Sequence, residues 1–232
     1  MFLGHYGLAL AAKRAAPGIS LGTTAFAAQW LDELWPVLLL LGVESVRIVP
    51  GLMAASPLEF THYPWSHSLA MAIGWGAAIG GAHYALRRNG RAAAVVAALV
   101  VSHWALELAM HRPDLPLSPG AGSRLGLGLW NSLAATLAVE LAVFGAGLLL
   151  YLRGTRAVDR VGSWGLYAMV ALLLLIFLSG AKGAPPPNES ALAVVTLGLW
   201  LFVPWSAWVD RHREPLRPEG DVVRARPAER RP

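Results

Sequence analysis

The segment HWALELAMH, residues 103–111, sets His103, Glu107 and His111 four residues apart, so on a helix all three share one face. An imidazole and a carboxylate at that spacing can put two ligand atoms on one cation. The same pair serves equally well to hydrogen-bond a neighbouring helix. A second source of imidazole is THYPWSH, residues 61–67, with His62 and His67 five apart. Five residues turn about 500° in a helix, which denies this pair a common helical face. Pro64 offers another route. Proline suits a first helical turn, so His67 would project from a helix beginning there while His62 approaches from the preceding loop. The alternative is a loop carrying two solvated histidines.

Carboxylates come from QWLDELWP, residues 29–36. Asp32 and Glu33 lie about 100° apart around a helix, so only one can face a given site. Pro36 has no N–H to offer the carbonyl of residue 32, which leaves a free acceptor beside the acid. Asn131, Ser132 and Glu140 could support ligands or glue helices together, and Asp114 could ligate or pair with Arg112.

The elements that must position these groups are membrane helices. The chain is 56% hydrophobic and 14% charged, with a mean hydropathy of +0.50, far from a soluble domain. Residues 161–181 and 190–209 contain no charge, and each is long enough to cross about 30 Å of hydrocarbon. Four more spans are expected near residues 21–43, 68–86, 92–110 and 127–152. The fold expected is therefore an all-α integral membrane protein of about six transmembrane helices. Residues 1–209 form its single domain, and 210–232 a basic, disordered cytoplasmic tail. MFLGHYGLALAA at the start is too short to span and lacks a basic stretch ahead of its apolar part, so a re-entrant or interfacial helix is expected there rather than a cleaved leader.

Basic residues set the orientation. With six spans, the clusters at 13–14, 87–91, 153–160 and beyond 209 fall on one side, leaving Arg47, Arg112, Arg124 and Lys182 on the other. Positive residues stay cytoplasmic, so both termini are expected inside a multi-pass plasma membrane protein, with membrane lipids as its surroundings. No aromatic-interleaved basic platform speaks for nucleic acid. Depth then ties the polar residues together. Asp32 and His103 each lie eleven residues from a cytoplasmic helix start, about 16 Å of rise, and His5 lies about 12 Å deeper than Lys13. Ionisable groups near mid-membrane cost roughly 2.5–3.5 kcal/mol each and call for a function.

In order and spacing these residues resemble a family of bacterial membrane-bound, metal-dependent hydrolase-like proteins, the LexA-binding, inner membrane-associated hydrolase family. Its early His with a following Gly corresponds to His5 and Gly7, and its aspartate motif to Gln29-Trp30-Leu31-Asp32, with one aspartate missing. Its His-Arg-Gly-x-x-His-Ser stretch corresponds to His62 through Ser68, where Tyr63-Pro64 replaces Arg-Gly. Its later His-x-x-x-Asp corresponds to His103 and Glu107. The likeness covers about the first half of the chain. It implies a metal centre, for which His5, Asp32, His67, His103 and Glu107 are the expected ligands, with His62 nearer the rim. Nitrogen and oxygen donors without cysteine suit Zn²⁺, with Mn²⁺ or Fe²⁺ as alternatives. The leading functional expectation is metal-assisted hydrolysis of an ester or phosphoester of a small molecule or, from the site's location in the membrane alone, of a lipid, with Glu107 or Glu33 as general base where it is not a ligand. Two other functions use the same cluster: a small transporter or ion conductor, and a metal-stabilised scaffold without turnover.

Overall fold

The computed structural model describes residues 1–120 and 122–216, and they are mostly helical. The order is α1 Leu3–Ala15, α2 Leu21–Leu40, a hairpin of β1 Ser45–Ile48 and β2 Leu58–His62, a single turn α3 Pro64–His67, α4 Leu69–Arg87 and α5 Gly90–Met110. A second small ribbon, β3 Leu115–Pro116 with β4 Arg124–Leu125, precedes α6 Leu133–Gly154. Then follow β5 Thr155–Ala157, α7 Leu166–Lys182, α8 Glu189–Leu197, α9 Phe202–Arg211 and β6 Arg213–Pro215.

Among the described residues, five segments are helical, long and apolar enough to cross a membrane: Leu69–Arg87, Gly90–Met110, Leu133–Gly154, Val161–Ala181 and Glu189–Arg211. The protein is thus a helical chain built like a multi-pass membrane protein. The expected first span is not among the five. Its helix, α2, carries Asp32 and Glu33, and eleven of its twenty residues are buried, in contact with α1, α5, α8 and α9. Side chains set at serine or asparagine start five of the helices. Ser20, Ser68, Asn89, Ser132 and Asn188 each accept the backbone N–H three residues on, satisfying a donor that the helix itself cannot. Asn188, which opens a glycosylation-like triplet, has this capping role.

α1 is buried rather than interfacial, packed on α6, α2 and α5. At thirteen residues it is about 20 Å long, short of a span. It lies backbone to backbone on α6. A Cβ at Gly147 would stand 2.0 Å from the Gly7 carbonyl oxygen, and one at Gly7 would stand 2.6 Å from that of Val143. Only glycine permits that approach, and it seats His5 at the protein's centre. One apolar core joins α1, α2, α4 and α5, and a second joins α1, α6, α7 and α9.

The opposite end from the β1–β2 hairpin is closed by the chain's last described turn. Lys13 Nζ donates to Asp210 Oδ2 at 2.9 Å and to the Ile19 carbonyl at 2.6 Å, while Tyr151 Oη donates to Asp210 Oδ1. β6 pairs antiparallel with β5. Residues 210–216, assigned to the tail from sequence, therefore belong to the packed structure, because Asp210 is the partner that a buried Lys13 requires. The rest of the expected tail, 217–232, lies outside the described residues.

Candidate metal centre

Four helices bring the site together. α1 supplies His5, α2 supplies Asp32, α5 supplies His103 and Glu107, and the single turn α3 supplies His67. One donor atom from each of His5, Asp32, His103 and Glu107 lies within 4.8 Å of all the others, a group that could hold a metal ion. His67 stands beside it, with Nε2 3.3 Å from Asp32 Oδ1. His103 Nε2 is 3.6 Å from that same oxygen and 3.9 Å from Glu107 Oε1. His5 Nε2 is 3.1 Å from Glu107 Oε1. Two donors on a cation about 2.1 Å from each stand roughly 3.4 Å apart, so these spacings suit ligands converging on one ion. The amino group of Met1 also rests on Glu107 Oε1.

The hydrogen bonds behind the histidines fix which nitrogen faces the site. His103 Nδ1 is 2.8 Å from the carbonyl oxygen of Ala28. A carbonyl only accepts, so Nδ1 bears the proton and a neutral ring turns a bare Nε2 inward. That nitrogen is fully buried and has no hydrogen-bond partner among the described residues. His67 is held the same way through two residues. Ser66 Oγ donates its single proton to Glu44 Oε2 at 2.6 Å, so it must accept from His67 Nδ1 at 2.7 Å. Glu44 in turn is held by the backbone N–H groups of Trp65 and Ser66, both at 2.8 Å. With neutral rings, two imidazole lone pairs thus meet the lone pairs of one carboxylate oxygen, an arrangement that a shared cation makes favourable. The rings of His5 and His103 stack with centroids 3.6 Å apart and 5° between planes, a contact that two positively charged rings would resist.

At the hairpin end, His111 completes the α5 stripe. Its Nε2 is 3.0 Å from Glu107 Oε2 and its Nδ1 2.8 Å from Asp114 Oδ1. Burial works against a charge on His111, but the hydrogen bond to Asp114 and the adjacent Glu107 carboxylate outweigh it and raise its pKa above the usual imidazole value. Tyr63 Oη donates to Asp114 Oδ1 at 3.3 Å; burial and then the Asp114 charge push the phenol's pKa up, so it stays protonated. Glu140 of α6 accepts the N–H groups of Phe2 at 2.7 Å and Gly4 at 2.9 Å, which anchors the start of α1 and with it His5. A cavity of about 620 Å³ opens on this centre, with Asp32, His67, Glu107, His111 and Glu140 in its wall.

Two expected residues are elsewhere. His62 is exposed on β2. Val46 pairs with Phe60 but Ser45 with His62, so an extra residue in β2 breaks the alternation and turns His62 off the inward face of Phe60. Glu33 is buried with neither carboxylate oxygen partnered among the described residues, yet it belongs neither to the four-residue group nor to the cavity wall. The 100° step from Asp32 takes it away. Sequence reasoning did not assign Glu44 or Ser66 to the site, and no local spacing marks them; Glu140, weighed as a support for ligands or as helix glue, holds the start of α1. His111 was visible in the four-residue stripe. No protein-family model matches the chain, and no curated protein or solved structure matches it significantly.

Proposed function

We propose that this chain is a metal-dependent hydrolase of a bacterial inner membrane that cleaves an ester or phosphoester. The single observation that carries the metal is the meeting of His67 Nε2 and His103 Nε2 on one oxygen of Asp32, with both Nδ1 atoms engaged behind them. The donor set of nitrogen and oxygen favours Zn²⁺, with Mn²⁺ or Fe²⁺ as alternatives. When bound, such an ion polarises the scissile linkage and makes a water acidic enough to attack at neutral pH. The order and spacing of His5, Asp32, His67, His103 and Glu107, which resemble those of a membrane-bound hydrolase-like family, support the hydrolytic reading. α2 counts as a sixth span in this reading, with both termini cytoplasmic by the distribution of basic residues.

The protein's own groups then have these roles. His5, Asp32, His67 and His103 hold the cation. Glu107 has one oxygen toward His5 and the other toward His111 Nε2, so it is the group placed to take a proton from water. The water oxygen bonds to the carbonyl carbon or phosphorus, and the bond to the leaving alkoxide breaks. The proton held at Glu107 returns to that alkoxide, so products are an acid and an alcohol. Asp114 and Tyr63 fix the His111 ring, which keeps a proton donor against Glu107 through the cycle. Glu33 is given no part.

The test is hydrolysis of chromogenic carboxylic and phosphoric esters by the purified protein. Turnover should stop with chelation, return with Zn²⁺, and be absent in Asp32→Asn. Turnover that survives both the chelator and Asp32→Asn defeats the proposal.

A further inference from the structure

The cavity is chemically lopsided. At the metal centre its wall is Asp32, His67, Glu107 and Glu140, whereas its other end is built from α7 and from α8 with the turn Gly198–Leu201 that follows. There the wall is Leu172, Ile176, Phe177, Val195, Leu199 and Leu201. Thr196 also lines that end, but its hydroxyl already donates to the Leu192 carbonyl at 2.8 Å, so it offers no free donor to a guest. A polar guest finds no partner along this wall, and an apolar chain loses nothing by lying on it.

The same residues show where the groove leads. Leu172, Ile176, Val195 and Leu201 line the cavity and yet are exposed, Val195 to 72% and Leu201 to 70%. All four lie in the segments Val161–Ala181 and Glu189–Arg211, which are apolar and long enough to cross a membrane. In a membrane crossed by these two segments, the mouth between them opens sideways onto hydrocarbon. α7 rests on α1 and α9, and α8 rests on α2, so each wall is supported from behind while the gap stays open. The volume of about 620 Å³ falls within the roughly 300–1,000 Å³ usual for a ligand site.

We propose that the groove between α7 and α8 seats an acyl chain of a membrane lipid, delivering the lipid's ester or phosphoester linkage to the His and carboxylate centre. The proposal rests on the hydrolytic reading for what happens at the polar end. It rests on the groove alone for what enters. Lateral entry through an apolar mouth explains why a cavity leading to five ionisable side chains has a wall without a free polar group: the chain follows the wall while the head end meets the charges. A second copy of this protein could cover the mouth but not fill a channel that runs inward to Asp32.

The probe is a phosphatidylethanolamine with a diazirine at the end of one acyl chain, added at one equivalent to purified protein in detergent and irradiated. Adducts should concentrate on residues 172–177 and 195–201, and be sparse on the exposed faces marked by Ile73 and Leu149. Ile176→Trp and, separately, Val195→Trp each obstruct the mouth and should lower groove labelling about tenfold, the effect of excluding two methylenes, with bound metal unchanged. Two variants on different helices guard against a folding defect in either. Adducts spread evenly over all exposed faces, or groove labelling indifferent to both tryptophans, overturn the proposal. Groove labelling in a protein that binds no metal sinks the hydrolytic reading and leaves the groove standing.

Discussion

Replacing Ser66 with alanine should weaken metal binding without touching a ligand. The serine hydroxyl spends its proton on Glu44 at 2.6 Å and its lone pair on His67 Nδ1–H at 2.7 Å. In Ser66→Ala the buried Nδ1–H has no acceptor, at a cost of about 1–3 kcal/mol. The ring regains that by moving its proton to Nε2, which aims an N–H at the site where a lone pair is needed. Losing the group that orients a ligand histidine costs about 10–100-fold in metal affinity, or roughly 1.4–2.7 kcal/mol. The assay is competition for Zn²⁺ against a chromogenic chelator, run on wild type, Ser66→Ala, His67→Ala and the double variant. Because the serine acts only through His67, Ser66→Ala should cost little once His67 is gone. Equal losses in the two backgrounds would refute the relay, and so would an unchanged affinity in Ser66→Ala.

Gly147→Ala puts a Cβ 2.0 Å from the Gly7 carbonyl. Since backbone must move, a loss of about 1–3 kcal/mol is expected, read as a lower melting temperature in detergent with reduced metal occupancy. Gly145→Ala, where a Cβ meets nothing within 4 Å, should melt like wild type. His62→Ala should leave metal affinity within about twofold, because an exposed side chain off the site contributes little. Lys13→Met strands Asp210 in a mostly buried place and should cost about 3 kcal/mol, whereas Asp210→Leu added to it should recover part of the loss. The Asp159 carboxyl is held below its ordinary range by the Gly162 N–H and then by His212. Its folded pKa is depressed, so its contribution is present above the unfolded value of about 3.9 and is lost as pH falls through the folded one. A His212 ring resonance that ignores this range would contradict the pairing.

What could be read from the chain alone was local or additive. The stripe of His103, Glu107 and His111 follows from the helical period, and the depths of His5 and Asp32 follow from rise per residue counted from basic ends. Five spans were legible because apolar length is a property of composition. α2 was harder. Its sequence is only moderately apolar, and what makes it a helix at the centre is the burial that α1, α5, α8 and α9 provide. His62 misled because one extra residue in β2 reverses the face of everything after it, and no feature of the five-residue strand announces the bulge. The path from Glu44 through Ser66 to His67 depends on where the hairpin lays residue 44 against residue 66. The groove between α7 and α8 depends on how α1 and α9 set one wall and α2 sets the other. Contacts of that kind have no period and no spacing.

The most direct measurement is elemental analysis of the purified, folded protein prepared without chelator. One equivalent of a divalent first-row metal per chain is expected, falling below about a tenth in Asp32→Asn and His103→Ala, with Zn²⁺ the predicted ion. A folded wild type that holds no metal, with protons on both Nδ1 and Nε2 of His67 and His103 by nitrogen NMR, would contradict the centre: the cluster would then be held by protons in place of a cation.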